Sequence, residues 1–250
     1  IEPTSGNTGI GIAAICASRG YKSIIVMPDS MSKERQLLLK AYGAEIILTP
    51  GAEGMLGAIK KAEEIKEKTP GSIIAGQFTN PANAEAHYRT TGPEIYNDLD
   101  GKVVPVALYP IEFLFGGCGT ITGIGKFLKE KLGRRCTVAG VEPEGSPLIT
   151  KGTVGRHDLQ GIGANFIPEV LDMSVVDRIY TVSDAEAYDM GRKLAAREGI
   201  LCGITSGAAL VAAIRLSKLR KFENNNVVVL LPDTGERYLS TKMFNPEYNS

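Results

Sequence analysis

Residues 2–28 read EPTSGNTGIGIAAICASRGYKSIIVMP, and the fold can be reasoned outward from them. The polar, glycine-spaced loop Thr4-Ser5-Gly6-Asn7-Thr8-Gly9 runs straight into a small-residue helical stretch, residues 10–17. After a short link, residues 22–27 (KSIIVM) have the texture of a buried strand, closed by a Pro28-Asp29 turn. Loop, helix and buried strand in this order form the unit of an α/β fold with parallel strands. A loop that opens a helix leaves backbone N–H groups and hydroxyls free to hold a carboxylate or phosphate. The same residues also read as a simple helix cap supplied by Thr4, Ser5, Asn7 or Thr8.

The alternation continues along the chain. Ser32 can cap a helix reaching Tyr42, residues 45–48 form a second strand, residues 54–68 a second helix and residues 72–75 a third strand. Residues 137–141 and 227–231 are apolar and β-branched, as strands covered on both faces are. Helical patterns lie at 83–97, 120–131, 184–198 and 206–221. Residues 77–83, rich in Asn and Pro, suit a crossing between domains.

The composition narrows the function classes. Of the 250 residues, 28 are Lys or Arg and 28 are Asp or Glu, which gives no bulk electrostatic case for nucleic acid or an anionic membrane. Hydrophobic residues make up 43%, ordinary for a soluble globular chain, and no apolar run approaches the ~18 residues of a membrane span. Cys16, Cys118, Cys136 and Cys202 are widely spaced and include no CxxC pair. That argues against a zinc site and a disulfide scaffold, and fits a reducing cytoplasm. His87 reads as a helix-surface residue and His157 as a loop residue; neither has a spaced partner for metal or triad chemistry.

Two further helices start from glycine and hydroxyl clusters, Gly116-Gly117-Cys118-Gly119-Thr120 and Gly203-Ile204-Thr205-Ser206-Gly207. In open α/β sheets ligands bind at the carboxyl ends of strands beside helix N-termini, so three such loops point to one phosphorylated ligand in a shared crevice. Each loop alone reads equally as a tight turn that needs glycine. A dinucleotide reading is the weaker alternative: Gly117-x-Gly119 begins the fingerprint and Glu142 stands at the ribose distance, but the third glycine, Gly123, comes one position late.

The ordered set Glu2-Pro3-Thr4-Ser5-Gly6-Asn7-Thr8-Gly9, Met27-Pro28-x-x-Met31-Ser32-x-Glu34-Arg35, Gln77-Phe78-x-Asn80-Pro81-Ala82-Asn83 and Thr91-Gly92-Pro93-Glu94-Ile95 resembles the cysteine synthases. So do Gly119-Thr120-Ile121-Thr122-Gly123, Gln160-Gly161-Ile162-Gly163-Ala164 and Leu231-Pro232-Asp233-x-Gly235-Glu236-Arg237-Tyr238-Leu239-Ser240-Thr241. Cysteine synthases are O-acetylserine sulfhydrylases of the fold-type II pyridoxal-phosphate enzymes, the group that includes the tryptophan synthase β chain. The resemblance implies two three-layer α/β/α domains with mostly parallel sheets, a smaller one over residues 1–85 and a larger one over 86–250. It implies pyridoxal 5'-phosphate as cofactor, no metal, a homodimer, and replacement of acetate by sulfide on O-acetylserine to give cysteine.

The same resemblance assigns roles. Thr4, Ser5, Thr8 and Gln77 would bind the substrate carboxylate, and Asn7 the ring oxygen of the cofactor. Gly116, Gly117, Cys118, Gly119 and Thr120 would cradle its phosphate. Thr205, with Ser206 beside it, would meet the pyridine nitrogen, where a neutral hydroxyl suits elimination and replacement at the β-carbon. Other readings consistent with the motifs are a cystathionine β-synthase-like enzyme, and a non-catalytic protein whose pocket receives a carboxylate-ended tail of serine acetyltransferase.

Three departures stand out. The family's Schiff-base lysine lies upstream of the loop, in an Asn-Pro-x-x-Ser-x-Lys type segment, and only three residues precede the loop here. Residues 1–250 are therefore expected to lack the catalytic lysine and to be inactive alone. Pro105 and Pro110 interrupt the apolar run 103–115, where a central strand is expected. Cys118 stands where the family has glycine, which is expected to crowd the phosphate or disturb a positive-φ turn; Asn165 and Thr205 replace a usual Gly and Ser.

Overall fold

The computed structural model describes residues 1–4, 6–100, 107–110, 118–222 and 225–245. The chain builds two parallel sheets. The first has the order β1-β2-β3, with β1 at Glu2–Pro3, β2 at Ile24–Pro28 and β3 at Glu45–Thr49. Helices α1 (Asn7–Arg19) and α2 (Lys33–Ala41) cross between these strands, and α3 (Gly54–Glu67) follows the last. Successive β2 side chains point to opposite faces. Ile25 and Met27 pack with Ile10 and Ala13 of α1 and Leu39 of α2, while Val26 packs with Met55, Ala58 and Ala62 of α3. The result is three layers.

Helices α4 (Ala82–Arg89) and α5 (Thr91–Asp98) lead to the second sheet. Its strands are β4 (Ala107–Pro110), β5 (Ala139–Pro143), β6 (Arg178–Val182) and β7 (Val228–Val229), in the order β6-β5-β4-β7, all parallel. On one side α6 (Gly119–Leu132) buries Ile121, Ile124 and Leu128 against Val138 and Val170. On the other, α8 (Asp184–Glu198) and α9 (Ile204–Ser217) bury Ala187, Ile204, Ala208 and Ala212 against Ala139 and Val141. The short α7 (Leu148–Lys151) lies between β5 and β6. No helix among the described residues is long and apolar enough to cross a membrane.

Four expectations need correction. Residues 72–75 are not a strand: their pairing with the chain start is Ile1 N to Ile73 O at 2.8 Å and Ala75 N to Ile1 O at 3.2 Å, too short a ladder, and the Ala75 carbonyl accepts instead from Asn80 Nδ2 at 3.1 Å. The pattern 83–97 is two helices broken at Thr90, because Pro93 has no N–H to give the Arg89 carbonyl. The run around Pro110 does form an inner strand. Pro110 is tolerated because β7 pairs only with Ala107 and Leu108, so at Pro110 only the β5 side is bonded; Pro105 lies outside the described residues. Strand β6 was not expected, although Ile179 and Tyr180 alternate between the two packed layers.

Candidate functional site

The three loops meet around two polar hubs. The first hub is Gln77, which is buried. Its N–H donates to Glu2 Oε1 at 3.0 Å and its Nε2 to Pro3 O at 2.8 Å, while its Oε1 accepts from Thr8 Oγ1 at 2.8 Å. Its carbonyl accepts from Asn83 Nδ2 at 2.9 Å. Asn83 in turn sits against Gly119, where an added Cβ would lie 2.2 Å from Asn83 Oδ1. Gln77 thus joins the loop of residues 4–9 to the start of α6. Glu2, fully buried, also accepts from Gly76 N at 2.8 Å; burial pushes its carboxyl above the ordinary range despite these bonds.

The second hub is Asp233. Its Oδ2 accepts from Asn7 Nδ2 at 2.8 Å and from Tyr238 OH at 2.5 Å. Asn7 Oδ1 accepts from Arg237 Nη1 at 2.6 Å. Behind Asp233 lies Gly203, whose N–H donates to Asp233 O at 3.2 Å; an added Cβ there would stand 2.1 Å from Asp233 Oδ1. Gly203 caps α9, so Asp233 joins residues 4–9 to Thr205 and Ser206. Burial raises the Asp233 carboxyl, against the lowering effect of its Tyr238 and Asn7 bonds.

α1 begins with Gly6 as its cap, α6 with Cys118 and α9 with Gly203, and none has a side-chain cap bond. Of the residues read as a simple cap, Thr4 accepts through Oγ1 from Gly6 N at 3.1 Å and Thr8 donates through Oγ1 to Gln77 Oε1, while Ser5 lies outside the described residues. Helix α8 shows the contrast, with a full capping box between Ser183 and Glu186. Ser32 does not cap α2 through its side chain; its hydroxyl donates to Arg237 O at 3.2 Å.

Thr205 Oγ1 and Ser206 Oγ are buried with no hydrogen-bond partner. Buried hydroxyls are ordinarily satisfied, so these two fit a polar ligand atom such as a ring nitrogen. Cys118 is buried at φ −51°, so this position needs no positive φ and the expected backbone conflict does not arise. Thr120 Oγ1 lies 2.8 Å from His87 Nε2, and His87 Nδ1 lies 2.9 Å from Thr91 Oγ1. His87 is therefore not a free surface residue: it bridges two threonines, one of them in the expected phosphate loop, and burial lowers its pKa. Its spacing from Thr91, four residues along, was the signal available in the sequence. Ser5, Gly116 and Gly117 lie outside the described residues.

Other residues divide clearly. Glu142 does not face a ribose: its carboxylate accepts Ile149 N at 2.9 Å, Thr150 N at 3.1 Å and the Thr150 hydroxyl, and holds the first turn of α7. His157 lines a cleft of about 370 Å³ with Ser30, Met31, Gln160 and Asn165, and its Nε2 meets Gly163 O at 3.0 Å. Among the described residues no cluster of three His, Cys, Asp or Glu could hold a metal. None of Thr4, Asn7, Thr8, Gln77, Thr120, Thr205 or Ser206 lines this cleft. Sequence reading passed over Arg35, which is fully buried on α2 beneath Gly6.

A family model described as pyridoxal-phosphate dependent enzyme matches residues 1–233. A cysteine synthase of Staphylococcus aureus (strain Mu50 / ATCC 700699) is 49% identical over 244 residues, covering 98% of this chain and 76% of that protein. The solved structure of the cysteine synthase (OASS) from Entamoeba histolytica superposes with a TM-score of 0.88 and 41% identity, covering 97% of this chain and 70% of that one. A hydrogen sulfide-producing enzyme from Fusobacterium nucleatum superposes with a TM-score of 0.89 and 45% identity, covering 95% and 78%.

Proposed function

We propose, for a chain that belongs to the pyridoxal-phosphate dependent enzymes and within them to the cysteine synthase family, that its site exchanges the acetate of O-acetylserine for sulfide. The observation that carries this reading is the pair of buried, unpartnered hydroxyls Thr205 Oγ1 and Ser206 Oγ, next to the hub that holds Asn7. Together with the N-terminus of α6 at Gly119 and Thr120, these residues fit the cofactor. Thr205 meets the pyridine nitrogen, Asn7 the ring oxygen, and Cys118, Gly119 and Thr120, with Gly116 and Gly117, hold the phosphate. Bound there, pyridoxal phosphate supplies the electron sink that makes the substrate's α-proton acidic and its β-acetate a leaving group.

The chain's own residues bind and orient. Thr4, Ser5 and Thr8, at the N-terminus of α1, take the substrate carboxylate. Gln77 fixes the Thr8 hydroxyl at 2.8 Å, and Glu2 fixes Gln77. Holding the carboxylate at one end and the ring at the other sets the Cα–H bond in one orientation. Removal of that proton needs a base, which the resemblance assigns to a lysine upstream of the loop of residues 4–9. Residues 1–250 by themselves thus bind substrate and cofactor without turnover.

The test uses residues 1–250 with added pyridoxal phosphate. O-acetylserine is titrated calorimetrically, and cysteine is then measured after sulfide is added. Binding with no cysteine above the free-cofactor rate is expected. Cysteine formation would overturn the inactivity, and absence of binding would overturn the substrate assignment. Serine with homocysteine as co-substrate, run in parallel, separates the cystathionine-forming alternative.

A further inference from the structure

We propose that Arg35 is the buried cation that gives the loop of residues 4–9 its affinity for a substrate carboxylate; this rests on the carboxylate role proposed for that loop. Arg35 has no exposed surface. Its Nη1 donates to Gln160 Oε1 at 2.7 Å, but Nε and Nη2 have no hydrogen-bond partner. Its guanidinium carbon stands 4.7 Å over the Tyr238 ring. Among the described residues no carboxylate stands within ion-pair distance of it; its charge acts on Asp233 and Glu34 from farther off, Asp233 Oδ2 being bonded to Asn7 and Tyr238.

A buried guanidinium with two unbonded nitrogens and no carboxylate in direct contact is costly, and native proteins carry one where a partner completes it. The position of this charge says what the partner is. An added Cβ on Gly6 would meet Arg35 Cδ at 2.4 Å and Nε at 2.5 Å, so the guanidinium lies directly behind the loop and fills the space of the missing side chain. Gly6 is also the cap of α1, whose first-turn amides lie in front of it with no side-chain bond from the cap residue. An anion on those amides faces the positive end of the helix and, behind the glycine, the positive charge of Arg35. Attraction between unit charges about 6 Å apart, at an effective dielectric near 20, corresponds to on the order of 10- to 100-fold in affinity. Arg35 touches neither reacting atoms nor cofactor in this arrangement and is a positioning residue: it sets the field of the loop and, through Gln160, ties the loop to the wall of the cleft.

The experiment compares two ligands that differ in the carboxylate. O-acetylserine and its methyl ester are titrated into the pyridoxal-phosphate-loaded chain, as wild type, R35K and R35M. R35M is expected to raise the Kd of the acid by about 10- to 100-fold and to change that of the ester by less than about threefold, while R35K keeps most of the preference for the acid. Equal losses for acid and ester, as a merely structural role would give, overturn the proposal, and so does an R35K that behaves like R35M. If R35M does not fold, as judged by thermal melting, R35Q carries the same comparison. A wild type that shows no preference for the acid removes the carboxylate assignment of the loop itself, and Arg35's role falls with it.

Discussion

Asn7 Nδ2 donates to Asp233 Oδ2 at 2.8 Å, a bond between side chains 226 residues apart that fastens the first loop of the chain to its last. Tyr238 OH closes on the same oxygen at 2.5 Å, and Arg237 holds the other end of the Asn7 amide at 2.6 Å. The segment 233–238 therefore clamps the loop from below, while Gln77 holds it from the side through Thr8.

The clamp titrates. Burial raises the Asp233 carboxyl above its ordinary 3.8. Between 3.8 and the raised value, the folded state keeps a proton that the unfolded state has lost, so stability falls as pH rises through that window. Asp233→Asn cannot titrate. Urea denaturation from about pH 4 to pH 7 should show the stability difference, variant minus wild type, moving in favour of the variant as pH rises; a difference flat in pH would refute the assignment.

His87 runs the other way. Burial lowers its pKa from the ordinary 6.5, so below 6.5 the unfolded state takes up a proton first and the fold loses stability on acidification. His87→Gln, which can still bond Thr120 and Thr91, should flatten the thermal stability profile between pH 5 and 7, about the span of an unperturbed imidazole titration. If the variant and wild type keep parallel profiles, His87 is not the titrating group.

Thr205→Val separates stability from binding. In the cofactor-free chain it removes a buried hydroxyl that has no partner, so stability should hold or rise by about 1 kcal/mol. Pyridoxal phosphate affinity should fall by about tenfold, the equivalent of one hydrogen bond. Fluorescence titration of the cofactor and chemical denaturation read the two effects separately, and a parallel loss of both would count against a ligand-facing hydroxyl.

Gly123→Ala and Gly207→Ala probe close helix packing. An added Cβ at Gly123 would lie 2.2 Å from Ala84 O of α4, and at Gly207 2.2 Å from Ala187 O of α8. Both contacts are to backbone, which cannot swing aside, so each variant should lose about 1–3 kcal/mol in urea denaturation. Neutral substitutions would mean that these helices separate more readily than their packing implies.

Much of the fold was legible in the residues because its causes are local. The alternation of Ile25, Val26 and Met27 marks a strand covered on both faces. The glycine and hydroxyl clusters before α1, α6 and α9 mark helix starts with no side-chain bond from the cap residue. Pro93 carried the break at Thr90 in the sequence too, but the apolar pattern across 83–97 outweighed it. Strand assignment at 72–75 failed because a strand is defined by its neighbour, and Ile1 offers a single residue of pairing.

The sequence by itself determined the parallel α/β class, the three loops and their order, since periodicity, proline and glycine act over a few residues. Only the tertiary structure decided which side chains complete those loops: Glu2 and Asn83 on Gln77, Asp233 on Asn7, His87 on Thr120 and Arg35 behind Gly6. Each of these partners is between 6 and 226 residues away and chosen by how layers pack, where burial converts a polar side chain from a solvated group into one that must find its partner in the fold.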